Sequence, residues 1–311
     1  MREIGSVAVL GTGLMGRPMA ERLLKAGFSL RVWNRTRAKA EPLADLGASV
    51  CDSPGQAVEA AEAIVTMLEN GPVVTDVLFG SDLTSKTQPD ALVVDMSSIP
   101  PSLARDHAAR LGDLGLCHLD APVSGGTAGA EAGTLAIMAG GSPQDFSRAA
   151  PLFAALGRAT HVGPSGSGQM TKLANQAIVA VTIAAVSEGL LLATAGGADP
   201  AAVRDAISGG FCDSRILELH GKRMIERDWL PGGKSSIHLK DMNTVLETAE
   251  TLKLDLPLTK AVRDQFAELV ESGLAEADHS ALLLWLEARN TPYRVGKLPD
   301  RLPISNGSGR Q

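Results

Sequence analysis

Short apolar runs recur through the first half of the chain, separated by segments of helical spacing. This alternation restricts the fold more than any other feature. The runs are VAVLG (7–11), SLRVW (29–33), AIVTML (63–68), ALVVDM (91–96), LCHLD (116–120) and TLAIMAG (134–140), each bounded by Gly, Pro or polar residues. Between them lie helical patterns such as those over 14–26 and 101–111. Strands alternating with helices pair in parallel through crossover helices, which predicts an α/β, doubly wound sheet. The runs are continuous in apolar character, as strands covered on both faces are.

After residues 158–164 the strand runs stop and the pattern becomes helical from Gly168 onward, broken at 196–200, 209–210 and 231–233. The expected organisation is a sheet domain over 1–163 and an all-helical domain over 164–291. A tail over 292–311, rich in Pro, Gly and charge, is expected to be loosely ordered.

The stretch Gly11-Thr12-Gly13-Leu14-Met15-Gly16 follows the first strand directly and opens the first helix. Each glycine has a separate task there: Gly11 permits a tight turn, Gly13 admits a pyrophosphate to the backbone, and Gly16 lets helix and strand approach. The helix N-terminus adds N–H donors and a positive dipole end for the phosphates. On its own the spacing is a weak signal; placed between strand and helix it is a strong one. The second strand ends in Asn34-Arg35-Thr36, where NAD sites carry an acidic residue for the ribose 2′-hydroxyl. Loss of that carboxylate removes repulsion toward a 2′-phosphate, and a guanidinium can bind one bidentately. NADP(H) is therefore the expected cofactor, with NAD(H) as the alternative; a surface turn with an incidental arginine is the plain reading.

The segment GQMTKLANQ, 168–176, opens a run that is otherwise almost wholly apolar. On a helix Lys172, Asn175 and Gln176 share one face. Either they form a solvated first turn, or they face a cavity. In the second case a lysine beside apolar walls has a depressed pKa and can exchange a proton near neutrality. Ser124, Gly125 and Gly126 offer a hydroxyl and two unhindered amides, a nest for a carboxylate, although such glycines also arise for steric reasons. In HLKDM, 238–242, Lys240 and Asp241 read on spacing alone as a solvated pair, and His238 as a packing or capping residue. Cys117 and His118 read as core.

The 311 residues carry 29 basic and 35 acidic side chains, a net charge of −6, with no basic run, so nucleic acid is not an expected partner. Cys51, Cys117 and Cys212 are scattered, which implies neither a disulfide framework nor a zinc site and fits a reducing cytoplasm. No metal ligand set is expected. The N-terminus reads as a first strand and not a signal peptide. Residues 177–196 are long enough to cross a bilayer, but Ser187, Glu188 and Gly189 interrupt them and no cationic cluster flanks them, so a buried helix is expected.

Taken in order, VLGTGLMGRPMAERLLKAG, DMSSIPP, DAPVSGGTAGAEAGTL, GSGQMTKLANQ and KDM resemble the β-hydroxyacid dehydrogenase family. The family includes 3-hydroxyisobutyrate dehydrogenases, and GLAEADHSAL is similar to its tartronate semialdehyde reductase branch. The resemblance implies a Rossmann domain followed by a helical domain, joined by a long helix that also builds a homodimer or homotetramer. It implies Lys172 as general acid, aided by Asn175. Ser124, Gly125, Gly126 and Gln176 would hold a small carboxylate substrate. Met67, Leu68, Ser98 and Lys240 would lie along the cofactor. The polar face of the long helix would line the cleft between domains. Tartronate semialdehyde is the first expected substrate, with succinic semialdehyde, glyoxylate and 3-hydroxyisobutyrate as rivals. An imine reductase and a non-catalytic dinucleotide-binding module are the readings from other classes; Lys172 itself argues against the first.

Overall fold

The computed structural model describes residues 4–303. The chain divides into two compact units, with the division between Lys172 and Leu173.

The first unit is built on a nine-stranded sheet. Its strands are β1 (Ser6–Leu10), β2 (Ser29–Trp33), β3 (Ser49–Val50), β4 (Ala63–Thr66), β5 (Leu92–Asp95), β6 (Cys117–Asp120), β7 (Val123–Ser124), β8 (Leu135–Gly141) and β9 (Gly157–Gly163). They lie in the order β3-β2-β1-β4-β5-β6-β8-β7, with β9 also pairing with β8. Pairing is parallel from β3 to β6, in the expected doubly wound arrangement. β8 then runs antiparallel to both β6 and β7, so the far edge of the sheet is mixed.

Alternate residues of each strand enter different cores. Val7, Val9, Val32, Val65 and Val94 pack on one face with Met19 and Leu23 of the Gly16–Lys25 helix and Phe153 of the Pro143–Leu156 helix. Ala8, Leu10, Ile64 and Val93 pack on the other with Val74, Ala104 and Leu111. β4 and β5 are buried throughout, as a sheet covered on both sides requires. Each large aliphatic side chain so enclosed contributes about 1.5–3 kcal/mol.

The second unit is helical, apart from isolated backbone bridges among the described residues. Its core gathers Ile183, Leu190, Trp229, Met242, Phe266, Leu269 and Leu283. Asp199 caps the Pro200–Ile207 helix by accepting a hydrogen bond from the N–H of Ala202.

The division falls beyond the expected boundary at 163 because the start of the Ser167–Ala195 helix is fastened to the sheet. The Asp120 carboxylate, at the end of β6, accepts the N–H groups of Gly166 (2.7 Å) and Gln169 (2.8 Å). This helix is long and apolar enough to span a bilayer, with a mean hydropathy of 2.0 in its most apolar window. About a third of that window is buried, and Ile178 and Leu192 are exposed. The expectation of a helix enclosed by its own chain is met only in part.

The loosely ordered tail expected from Pro292 is a correction as far as Pro303; residues 304–311 lie outside the described residues. Val295 is fully buried, and Arg301 exchanges backbone hydrogen bonds with Arg227 and Trp229. Arg227, 1% exposed, donates to Glu287 (2.6 Å) and Asp300 (2.8 Å). Composition suggested a free tail, yet a buried guanidinium needs these acceptors.

Candidate active site

The glycine fingerprint occupies the turn between β1 and the Gly16–Lys25 helix, and its glycines differ in their surroundings. Gly11 has φ +99°, and a Cβ there would stand 2.3 Å from the Met67 carbonyl oxygen. A Cβ on Gly16 would stand 1.9 Å from the carbonyl oxygen of Gly11. One on Gly13 would meet nothing within 4 Å, which leaves room for a ligand against the backbone. Leu14 is exposed, while Met15 packs against the core.

Asn34 does more than replace an acid. Its side-chain oxygen accepts the Thr12 N–H at 3.0 Å, and its amide donates to the Thr36 carbonyl at 2.9 Å. The end of β2 is thereby tied to the glycine turn. Arg35 and Thr36 are exposed. Arg37 is engaged by Asp52 and Glu41, whereas among the described residues no carboxylate pairs with Arg35. The Thr12 hydroxyl is buried with no partner among the described residues. Open space at Gly13 and an uncommitted hydroxyl beside it fit a dinucleotide phosphate.

Along the same edge, Leu68 donates its N–H to the Ser97 hydroxyl (3.0 Å), and Met67 donates to the Leu10 carbonyl (2.9 Å). Below them Asp95 is buried, accepting the Thr66 hydroxyl (2.7 Å) and the Ser97 N–H (3.0 Å). Burial pushes its carboxyl up to about 6, against the pull of those hydrogen bonds. Ser98 is half-buried between Ser97 and Ile99. Both neighbours are gripped by Gln169, which is 1% exposed: its amide donates to the Ser97 carbonyl (2.7 Å) and its oxygen accepts the Ile99 N–H (3.1 Å). Gln169 and Asp120 position these elements and were missed from sequence. The polar residues flanking GQM were the only available sign.

Ser124 ends β7, and Gly125 and Gly126 follow with φ +139° and +61°. Gly126 has open space where a Cβ would point. The left-handed backbone at both explains the glycines whatever they bind.

Lys172 is half-buried on the long helix, which also carries Asn175 and Gln176. Asn175 donates to Gln176 Oε1 at 2.8 Å, and Gln176 donates from Nε2 to Asp241 Oδ2 at 2.6 Å. Lys240 Nζ lies 3.1 Å from Asp241 Oδ1. The plain reading of Lys240 and Asp241 as a solvated pair is corrected at Asp241, which is 4% exposed. Gln176 supplies a hydrogen-bond donor to the buried carboxylate. His238 packs on Phe266, with ring centroids 4.9 Å apart. His118 is buried, and Cys117, its neighbour on β6, packs against the core that holds Leu92, Val94 and Leu119.

A second cluster joins His220, Asp278 and His279, whose ligand atoms lie within 4.8 Å of one another. Asp278 accepts the N–H groups of Gly232, Gly233 and Ser280 and the Ser280 hydroxyl, so its lone pairs are committed to shaping that turn.

Residues 6–163 match the family model described as the NAD-binding domain of 6-phosphogluconate dehydrogenase. Residues 166–286 match that of the NAD-binding domain of NADP-dependent 3-hydroxyisobutyrate dehydrogenase. The chain belongs to the 3-hydroxyisobutyrate dehydrogenase-like family of β-hydroxyacid dehydrogenases. Among its relatives, the 2-hydroxy-3-oxopropionate reductase of Escherichia coli K12 is 46% identical over 89% of this chain and 96% of that protein. A probable mitochondrial 3-hydroxyisobutyrate dehydrogenase-like protein of Arabidopsis thaliana is 37% identical over 90% of this chain and 85% of that one. The structure of Mycobacterium tuberculosis 3-hydroxyisobutyrate dehydrogenase with L-serine superposes with a TM-score of 0.83 at 29% identity, covering 91% of this chain and 99% of that one. Like its family, the chain is an NAD(P)-dependent oxidoreductase of hydroxyacids, with a Rossmann domain followed by a helical one.

Proposed function

We propose that this protein is an NADPH-dependent reductase of a small carboxylated aldehyde, with tartronate semialdehyde, reduced to D-glycerate, as the first substrate. The observation that carries the reading is the helix face bearing Lys172, Asn175 and Gln176, with Gln176 anchored to a buried carboxylate. The substrate choice draws on the 46% identity to a 2-hydroxy-3-oxopropionate reductase. Succinic semialdehyde, glyoxylate and 3-hydroxyisobutyrate share the same acid-plus-carbonyl chemistry and form the comparison panel.

Gly11, Thr12, Gly13 and Gly16 would hold the pyrophosphate of the dinucleotide, Asn34, Arg35 and Thr36 its 2′-phosphate, and Met67, Leu68, Ser98 and Lys240 would lie along its length. When bound, it would supply the hydride for the carbonyl carbon. Ser124, Gly125 and Gly126 bind the substrate carboxylate by a hydroxyl and backbone N–H groups, which select an acid without fixing chain length. Lys172 donates a proton from Nζ to the carbonyl oxygen as negative charge develops there, and regains one from water. Asn175 orients that exchange. A lysine in this role favours alcohol chemistry over imine reduction. The exposed apolar residues of the long helix support assembly as a homodimer or homotetramer, and the enzyme is read as cytoplasmic.

The test is an NADPH-oxidation screen over three- and four-carbon aldehyde acids, with cyclic imines as controls, repeated with NADH. Turnover of an aldehyde acid with NADPH is expected. Turnover of imines alone, or of none of these compounds, contradicts the reading.

A further inference from the structure

Gln176 and Asn175 are carboxamides, and a carboxamide can face either way. Which way Asn175 faces decides whether it offers the active centre an acceptor or a donor. Asp241 settles the matter. A carboxylate only accepts hydrogen bonds, so the group 2.6 Å from Asp241 Oδ2 is the Gln176 amide nitrogen. That orientation turns Gln176 Oε1 toward Asn175, so Asn175 must present its Nδ2 to it, at 2.8 Å. The Asn175 oxygen is left as the outward group. Lys240 holds the other oxygen of Asp241, at 3.1 Å, and fixes the carboxylate plane.

We propose that Asp241 is a positioning residue whose carboxylate sets the polarity of the hydrogen-bond chain from Asp241 through Gln176 to Asn175, so that Asn175 presents its carbonyl oxygen as an acceptor. The acceptor suits a lysine ammonium or a substrate hydroxyl and repels neither. This rests on the role proposed above for Lys172 and Asn175, and it assigns Gln176 a function distinct from substrate contact. Gln176 transmits the orientation.

In Asp241→Asn the new carboxamide oxygen can stay on Lys240, which places an N–H₂ against the Gln176 N–H₂. Gln176 then turns over, and so does Asn175, which now offers a donor outward. Exchanging the two groups, Asp241→Asn with Gln176→Glu, keeps the net charge. It restores the original order, because the carboxylate now on the long helix accepts both from the carboxamide that replaces Asp241 and from Asn175.

The experiment measures kcat and KM for the aldehyde acid with NADPH in wild type, Asp241→Asn and the exchanged double variant. The single variant is expected to lose kcat by on the order of 10- to 100-fold, and the double variant to recover most of it. A double variant no better than the single one overturns the proposal, as does a single variant with wild-type kcat. A second readout needs no turnover, and so separates this inference from the reaction proposed above. The side-chain amide protons of Asn175, assigned by their disappearance in Asn175→Asp, are followed by ¹H–¹⁵N NMR. One proton shifted downfield in wild type, lost from that position in Asp241→Asn and restored in the double variant, supports the relay. The same spectrum in all three overturns it.

Discussion

The side-chain oxygen of Asn34 accepts the backbone N–H of Thr12 at 3.0 Å, so the residue that follows β2 also braces the glycine turn that follows β1. Asp at this position could make the same bond, but it would lose the donation to Thr36 and bring negative charge beside Arg35. The Asn34→Asp variant is therefore expected to fold normally and to favour NADH. Steady-state kinetics should show kcat/KM for NADPH falling about 10- to 100-fold, the worth of a charge-assisted hydrogen bond. Arg35→Ala should raise the NADPH KM far more than the NADH KM. Equal effects on both cofactors contradict the 2′-phosphate assignment.

Gly13 and Gly16 separate binding from folding. An added methyl at Gly13 meets open space, and one at Gly16 collides with the Gly11 carbonyl. Gly13→Ala should keep the wild-type melting temperature while the dinucleotide KM rises, and Gly16→Ala should unfold or melt well below wild type. Thermal denaturation with and without NADPH checks both. A Gly13→Ala protein with unchanged cofactor affinity removes the pyrophosphate from that turn.

Buried groups of the sheet, among them His118 and Asp95, pull the pH dependence of stability in opposite directions. Burial lowers His118 from 6.5 to about 3, so its neutral form is favoured in the fold, and stability is lost as pH falls from 6.5 toward 3. Asp95 is raised from 3.8 to about 6, so falling pH relieves its burial between 6 and 3.8. The two cancel in part, and the histidine effect is the wider. His118→Leu should therefore gain on wild type as pH drops, by up to about 3 kcal/mol between about pH 6.5 and 4. Urea unfolding near neutrality and near pH ~4 measures this. Parallel curves for the two proteins refute it.

Arg227 predicts a stability role for the segment after Asn290. Truncation before Pro292 removes Asp300 and the Val295 carbonyl from a guanidinium that is 1% exposed. The loss should approach the roughly 3–5 kcal/mol typical of a broken buried pair. A truncated protein that melts like the full chain shows that the segment is dispensable.

Strand identity was legible because β1, β4 and β5 sit in short, continuously apolar runs bounded by Gly, Pro or polar residues. β3 and β7 were not, since two residues carry no periodicity. The reversal of β8 was hidden because its apolar run over 134–140 looks like any parallel strand. Among site residues, the glycines announced themselves through spacing. Gln169 and Asp120 act across 49 residues of sequence, and the buried Asp241 carboxylate takes a donor from Gln176, 65 residues away. Such contacts exist only after folding. Arg227 misled in the same way, since two of its acceptors, Asp300 and the Val295 carbonyl, lie in a stretch whose composition suggests disorder.

Lys172 is the proposed proton donor, and replacing it is the sharpest test of the chemistry. Lys172→Ala is to be compared with wild type for kcat with NADPH and tartronate semialdehyde, with the NADPH Kd measured alongside by fluorescence. Loss of a general acid should lower kcat by about 10²- to 10⁴-fold and leave the NADPH Kd unchanged. A Lys172→Ala enzyme that turns over at the wild-type rate contradicts the mechanism.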